Sequence, residues 1–246
     1  MLFKSIFALP VLALSLAAAS PIKTPNNTPG CSGDPNEYQT GKCAPGLPQD
    51  QTPGTAGPAC YKGAQFPPAS EWLSFNELWK INSPIMSKFN SKSEMAAIKK
   101  YIPEAAAAAG IDKGIFLTIM MQESKGNVRT ESGDGVTPGL MQALGSPSCL
   151  GTPFGTCPAS KIKDMIFAGA LGTGQTEGLA TCFTKNRRKY GPMLRCYNSG
   201  SVIDPLRLEL VNFGTPSYVS DVANRLRGFE PRRDCGFDGA IPSPGH

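Results

Sequence analysis

Eight cysteines stand behind an apolar leader, and that combination constrains the fold of this 246-residue chain more than any other feature. The leader carries one charge, Lys4, then an apolar run from Ile6 that closes on the small residues Ala17, Ala18, Ala19 and Ser20. This is the pattern of a secretory signal peptide cleaved next to Ala19. The run is too short for a membrane span, and Pro-rich polar sequence follows it. An even cysteine count on an exported chain predicts disulfides. Cys31, Cys43 and Cys60 lie in the N-terminal part, while Cys149, Cys157, Cys182, Cys196 and Cys235 lie beyond it. Full pairing within the chain therefore needs at least one bridge between the two parts. Sequence proximity favours Cys149–Cys157 and Cys182–Cys196. No paired CxxC spacing points to a metal site.

The single His is His246, the last residue. Catalysis by Ser-His-Asp or Cys-His needs an imidazole held in a packed site, and a terminal residue does not supply one. Acid–base work then falls to carboxylates, Lys, Tyr or Cys. No organic cofactor or metal is implied. The net charge of +5 fits attraction to acidic polymers such as bacterial walls, and equally an ordinary solubilising surface. The basic cluster Lys185, Arg187, Arg188 and Lys189 reads as a solvated helix end, so no nucleic-acid partner is expected. No later apolar run is long enough to span a bilayer, so no membrane partner is expected either. The protein is expected to be extracellular and monomeric.

Composition divides the chain into residues 1–19 as leader, 20–69 as a Pro/Gly/Cys-rich segment, and 70–246 as the folded domain. Residues 21–68 hold ten of the 23 prolines and few large apolar side chains, which suits a linker or a small stapled cap. Asn26-Asn27-Thr28 is its glycosylation sequon. Beyond Ser70, Ser74 and Glu77 have capping-box spacing before Leu78 and Ile81, and Ser91 and Glu94 repeat it. The second box predicts a helix through Met95, Ile98 and Tyr101 into alanines 105–109, stopped by Gly110, with Pro103 as a kink or a division. Asp112 caps the apolar stretch GIFLTIMMQES. Residues 127–138 read as a loop or small hairpin. A short helix is expected at Leu140 and Met141, others at 160–169 and 177–184, and a helical turn at MLRCYNSG. Thr215-Pro216 is read as the cap and first residue of a last helix. The fold class is mainly α: a disulfide-stapled helical domain with a small β-hairpin or loop excursion, preceded by the Pro/Gly-rich segment.

Glu123 ends the most apolar run of the mature chain. A carboxyl in apolar surroundings keeps its proton near neutrality and can donate it to a leaving oxygen, as in glycoside cleavage. On its own, such a residue is more often an exposed carboxylate. Its neighbours alter that balance. Glu123-Ser124 is followed by Gly139-Leu140-Met141-Gln142 and then by Cys196-Tyr197-Asn198-Ser199-Gly200. This order resembles the lysozyme-like soluble lytic transglycosylases, glycoside hydrolase family 23, which are related to goose-type lysozyme. Residues 162–169 and Pro216-Ser217-Tyr218-Val219 are similar to flanking parts of that domain. The resemblance covers roughly residues 91–227 and none of the first 70.

The resemblance implies an α+β lysozyme-like fold and a secreted muramidase that cleaves the β-1,4 bond between N-acetylmuramic acid and N-acetylglucosamine. Its partner would be peptidoglycan or a related N-acetylated glycan. Glu123 would be the general acid, and Ser124 would shape the cleft beside it. Gln142 would face the sugar, and Tyr197 and Asn198 would position Glu123 and the acetamido group. Asp134, on the loop before Gly139, would assist water in a hydrolase, with Glu131 as an alternative base. In a transglycosylase the sugar's own 6-hydroxyl closes an anhydro ring instead. Lys125-Gly126-Asn127 departs from the family where an aromatic often follows Glu-Ser, and Arg195-Cys196 departs where small apolar residues are usual. The alternatives are a chitin-type substrate, or a catalytically silent wall- or chitin-binding protein that uses the segment from Cys31 to Cys60.

Overall fold

The computed structural model of the protein describes residues 57–132 and 135–237. The leader, Cys31, Cys43, the sequon, Asp134 and His246 lie outside the described residues. Among the described residues, seven α-helices follow a single 3-10 turn at Ala69–Glu71. They are α1 (Phe75–Met86), α2 (Lys92–Ala109), α3 (Lys113–Ser124), α4 (Ala159–Leu171), α5 (Leu179–Lys185), α6 (Tyr190–Ser199) and α7 (Tyr218–Leu226).

Local chemistry sets the first three. Ser74 and Ser91 each form the full reciprocal capping box with Glu77 and Glu94. Gly110 ends α2 in the left-handed conformation, and Asp112 caps α3 through the amides of Gly114 and Ile115 at 2.7 and 3.1 Å. The helix α2 runs through Pro103 without division, although proline offers no N–H to the carbonyl four residues back. Burial of Ile98, Ile102, Ala105 and Ala106 on both sides of it offsets that loss.

The helix α3 is apolar all round and forms the centre of the fold. Residues 114–121 are all buried, with α1, α2 and α7 packed around them. A fully buried Ile, Leu, Phe or Met side chain contributes about 1.5–3 kcal/mol, so this one helix carries much of the core. The helix α2 lies between α3 and α4, and α5 packs on α6.

Three disulfides staple these elements. Cys149–Cys157 closes the loop before α4 and Cys182–Cys196 joins α5 to α6, both as sequence proximity suggests. Cys60–Cys235 spans 175 residues and ties the start of the described chain to its end. Closing a loop that long lowers the entropy of the unfolded chain by roughly 5 kcal/mol in the chain-entropy account. The same contact is reinforced on α7. Asn224 pairs with both backbone groups of Ala59 at 2.7 Å, and Arg227 holds Gly57 O, Tyr61 Oη and Glu71.

Of the two readings of residues 127–138, the described residues 127–132 and 135–138 follow the loop: the only β pairing among the described residues is an isolated bridge between Gly172 and Glu177. The loop's backbone groups bond across turns, as in Gly139 N to Thr130 O and Cys149 N to Val128 O. Three other expectations need correction. Leu140 and Met141 sit in a turn and not a helix, because Gly139 (φ 90°) and Gln142 (φ 47°) flank them in conformations a right-handed helix excludes. The stretch MLRCYNSG belongs to the ten-residue α6, which begins at Tyr190 and takes Pro192 into its first turn. The last helix starts at Tyr218. Thr215 forms a preceding turn, its N–H bonded to Asn198 and its carbonyl shared by Tyr218 N and Arg195.

Candidate active site

Glu123 occupies the last turn of α3, where the buried helix reaches the surface. Its side chain is half-buried, and its carboxyl is enclosed on the side that faces α7. Burial pushes the carboxyl from its ordinary 4.5 up to about 7. One hydrogen bond, donated by the Tyr218 hydroxyl at the start of α7, opposes that rise. No cation is paired with Glu123 among the described residues. Burial and the nearby carboxyl hold both Tyr218 and Tyr197 well above the usual tyrosine range, so both phenols stay protonated. The cluster is therefore a protonatable acid between two neutral phenols.

The turn at residues 139–142 lies against the same helix end. Ser124 Oγ donates to Leu140 O at 2.8 Å and accepts the Gly126 amide at 3.1 Å. Tyr197 Oη, from α6, donates to Met141 O at 2.8 Å. These two bonds clamp the backbone on either side of the buried Leu140 and Met141. Gly139 is required here twice over. Its φ of 90° disfavours any side chain, and a Cβ would meet Met165 Sδ at 2.8 Å and Pro147 O at 3.0 Å. Gln142 is half-buried, and its amide nitrogen donates to Gly139 O at 2.9 Å.

Asn198, near the end of α6, has its Oδ1 held by Arg195 Nη1 at 2.9 Å and by Thr215 N at 2.8 Å. Arg195 is fully buried and forms no salt bridge among the described residues, although the Glu209 charge acts on it. Burial pulls its pKa down to about 10, so it still carries its charge at neutral pH. It spends its donors on Leu208 O, Asn198 Oδ1, Ser199 Oγ, Thr215 O and Pro216 O. This arginine fastens the segment leading into Tyr218 onto α6, which is the physical reason a cation stands there.

The site residues expected from sequence divide as follows. Glu123, Tyr197 and the turn carrying Gln142 converge at the end of α3. Asn198 joins them through the segment that precedes Tyr218. Ser124 is buried, with its hydroxyl committed to the protein. Asp134 lies outside the described residues, and Glu131 is exposed. Sequence reasoning missed Tyr218 and Arg195 as site residues. The only sequence signal for Arg195 was that a cation stood where an apolar residue was expected.

Cavities lie elsewhere among the described residues. One of about 620 Å³ is lined by Trp72, Leu73, Phe75, Asp112 and Lys113, at the opposite end of α3. Eleven residues of helix put it about 16 Å from Glu123. A second, of about 180 Å³, borders Pro216, Ser217, Arg232 and Arg233, just before Tyr218. Among the described residues, the two clusters with metal-ligand spacing each use both sulfurs of a disulfide, Cys60–Cys235 or Cys182–Cys196. That leaves one carboxylate in each as a donor. No known protein family, curated protein or solved structure matches the chain.

Proposed function

We propose that the chain is a secreted glycosidase of the muramidase type, built on a lysozyme-like helical domain, with Glu123 as its general acid. The observation that carries this reading is the state of Glu123: a carboxyl raised to about 7 by burial, unpaired with any cation, and held by the Tyr218 hydroxyl. Such an acid is half-protonated near neutrality and is matched to proton donation. The order of the Glu-Ser, GLMQ and Tyr-Asn motifs supports a glycan as the acceptor of that proton, and the disulfides suit an exported protein. No described helix is long and apolar enough to cross a membrane.

In the first step the Glu123 Oε–H bond breaks and its proton passes to the bridging oxygen between the sugars. The glycosidic C–O bond breaks with it, and positive charge develops at the anomeric carbon. If the attacking oxygen belongs to water, a second carboxylate takes its proton, and Asp134 is the residue the resemblance supplies. If it belongs to the sugar's 6-hydroxyl, the Glu123 carboxylate left behind takes that proton, so Glu123 alone serves both steps. Tyr218 lends a hydrogen bond that strengthens as Glu123 gains charge, which steadies the carboxylate after transfer. Asn198, with its oxygen occupied by Arg195 and Thr215, keeps its amide protons for an acceptor such as an acetamido carbonyl.

Glu123→Gln keeps the shape and removes the proton. Cleavage of purified peptidoglycan should fall by about a hundredfold to ten-thousandfold while the protein stays folded. Full activity in this variant would overturn the assignment. Mass analysis of the wild-type digest separates the two second steps, because anhydro ends are lighter than reducing ends by one water.

A further inference from the structure

The outer face of α1, α2 and α4 carries a charge pattern that the Glu123 site does not use. Residues 75–109 and 159–171 contain seven lysines and no arginine, although the chain has nine arginines. The arginines elsewhere are largely structural, as at Arg129, Arg195, Arg225 and Arg227. Among the described residues none of the seven lysines forms an ion pair. The same stretch exposes three acids, Glu77, Glu104 and Asp164, and Glu77 is engaged in the α1 capping box. Glu94 is buried and neutralised by Arg129. With seven lysines against three exposed acids, these stretches carry much of the chain's net charge of +5.

Aromatic rings link that face across the helices. Lys99 of α2 stands over Trp79 of α1 at 5.4 Å. Tyr101 of α2 lies beneath both Lys100, at 5.0 Å, and Lys163 of α4, at 5.8 Å. Lys163 also covers Phe167 at 5.4 Å. All three rings are half-buried. The ammonium groups lie over the ring faces, which restrains the lysines while the side chains of Lys99, Lys100 and Lys163 stay exposed. Among the described residues no ion pair or ring contact joins Lys99, Lys100 or Lys163 to Glu123.

We infer that this face is a docking surface for a phosphate-bearing polymer. Ammonium groups act as point charges and bind phosphates without demanding an orientation, whereas planar carboxylates are better matched by guanidinium forks, which α1, α2 and α4 do not themselves carry. Bases would need open ring faces for stacking, and here lysines cover the rings. A bilayer would need a cluster of protruding apolar side chains, and these helices expose only Ile81 and Leu171, while the most exposed ones, Leu206, Phe213 and Phe154, lie on other segments. This inference goes beyond the proposed function and does not rest on Glu123.

The test measures binding of the full-length protein to long-chain inorganic polyphosphate by fluorescence anisotropy at low and moderate salt. The expected result is binding that weakens steeply with salt and falls at least about tenfold in a Lys99→Gln, Lys100→Gln, Lys163→Gln variant with an unchanged melting curve. An equal charge loss elsewhere, in Arg187→Gln, Lys189→Gln, Arg207→Gln, should leave affinity within about twofold. Equal losses in both triple variants would overturn the inference, since net charge alone would then explain binding. So would absence of binding, or tighter binding at matched charge to polygalacturonate, to a single-stranded oligonucleotide or to anionic vesicles. Glu123→Gln should bind polyphosphate like the wild type, so this inference and the enzymatic reading fail independently.

Discussion

Glu94 and Glu123 are two carboxyls with little access to water, and they are held in opposite states. Glu94, at the start of α2, is 1% exposed. Burial pushes its pKa up, but Arg129 and the amides of Ser91 (2.8 Å) and Cys157 (3.0 Å) outweigh burial and hold it below the ordinary carboxylate range. Glu123, at the end of α3, has burial and one phenol, and its pKa rises to about 7. Desolvation is common to both, so the partners decide. Arg129 reaches from Glu94 to Thr152 O, Pro153 O and Phe89 O, which ties together the two ends of the segment that contains the turn at 139–142. One carboxylate is spent on architecture, and the other stands without a cation among the described residues.

The largest effect on stability should come from breaking the paired side. Arg129→Met leaves Glu94 buried without its cation, which should cost about 3–5 kcal/mol in chemical denaturation. The sign of the pH dependence differs between the two carboxyls. With its folded value lowered, Glu94 contributes stability that is present above the ordinary carboxylate range and lost as pH falls through the folded value. The Arg129 variant should lose that acid-side transition. A variant as stable as the wild type would show that the pair does not hold the loop.

A smaller effect of opposite sign is expected at Glu123. With its folded value raised from 4.5 to about 7, its contribution is fully present below 4.5 and is lost as pH rises through about 7. Glu123→Gln removes that loss while keeping an acceptor for Tyr218. It should therefore gain about 1–3 kcal/mol over the wild type at pH 8 and nothing at pH 4, read from denaturant melts at both pH values. Equal stability at pH 8 would contradict the desolvated acid. Tyr218→Phe should have the smallest effect, about 1 kcal/mol. Because the Tyr218 bond lowers the Glu123 pKa, its loss should move the Glu123 titration to higher pH, and a shift to lower pH would reverse the assigned role.

What could be read from the sequence tracks how local the physics is. The capping boxes at Ser74 and Ser91, the Asp112 cap and the stop at Gly110 depend on neighbours a few residues away, and all were legible. The two short disulfides were legible for the same reason. The turn at 139–142 looked helical because Leu140 and Met141 are apolar, whereas the left-handed backbone at Gln142 is set by its setting in the fold. Tyr218 lies 95 residues from Glu123, and only packing of α7 on α3 joins them. Arg195 could be noticed as an anomaly, but its five acceptors come largely from segments that sequence alone does not bring together. The motif order pointed to Glu123; the fold supplies the enclosure that raises its pKa and the phenol that opposes part of that rise.

The central claim is that Glu123 is an unpaired, desolvated acid. The direct measurement is a pH titration of the side-chain carboxyl carbons by NMR, assigned through Glu123→Gln and Glu94→Gln. The account predicts a midpoint near 7 for Glu123 and one below 4.5 for Glu94 in the same sample. A Glu123 midpoint at or below 4.5 would contradict it.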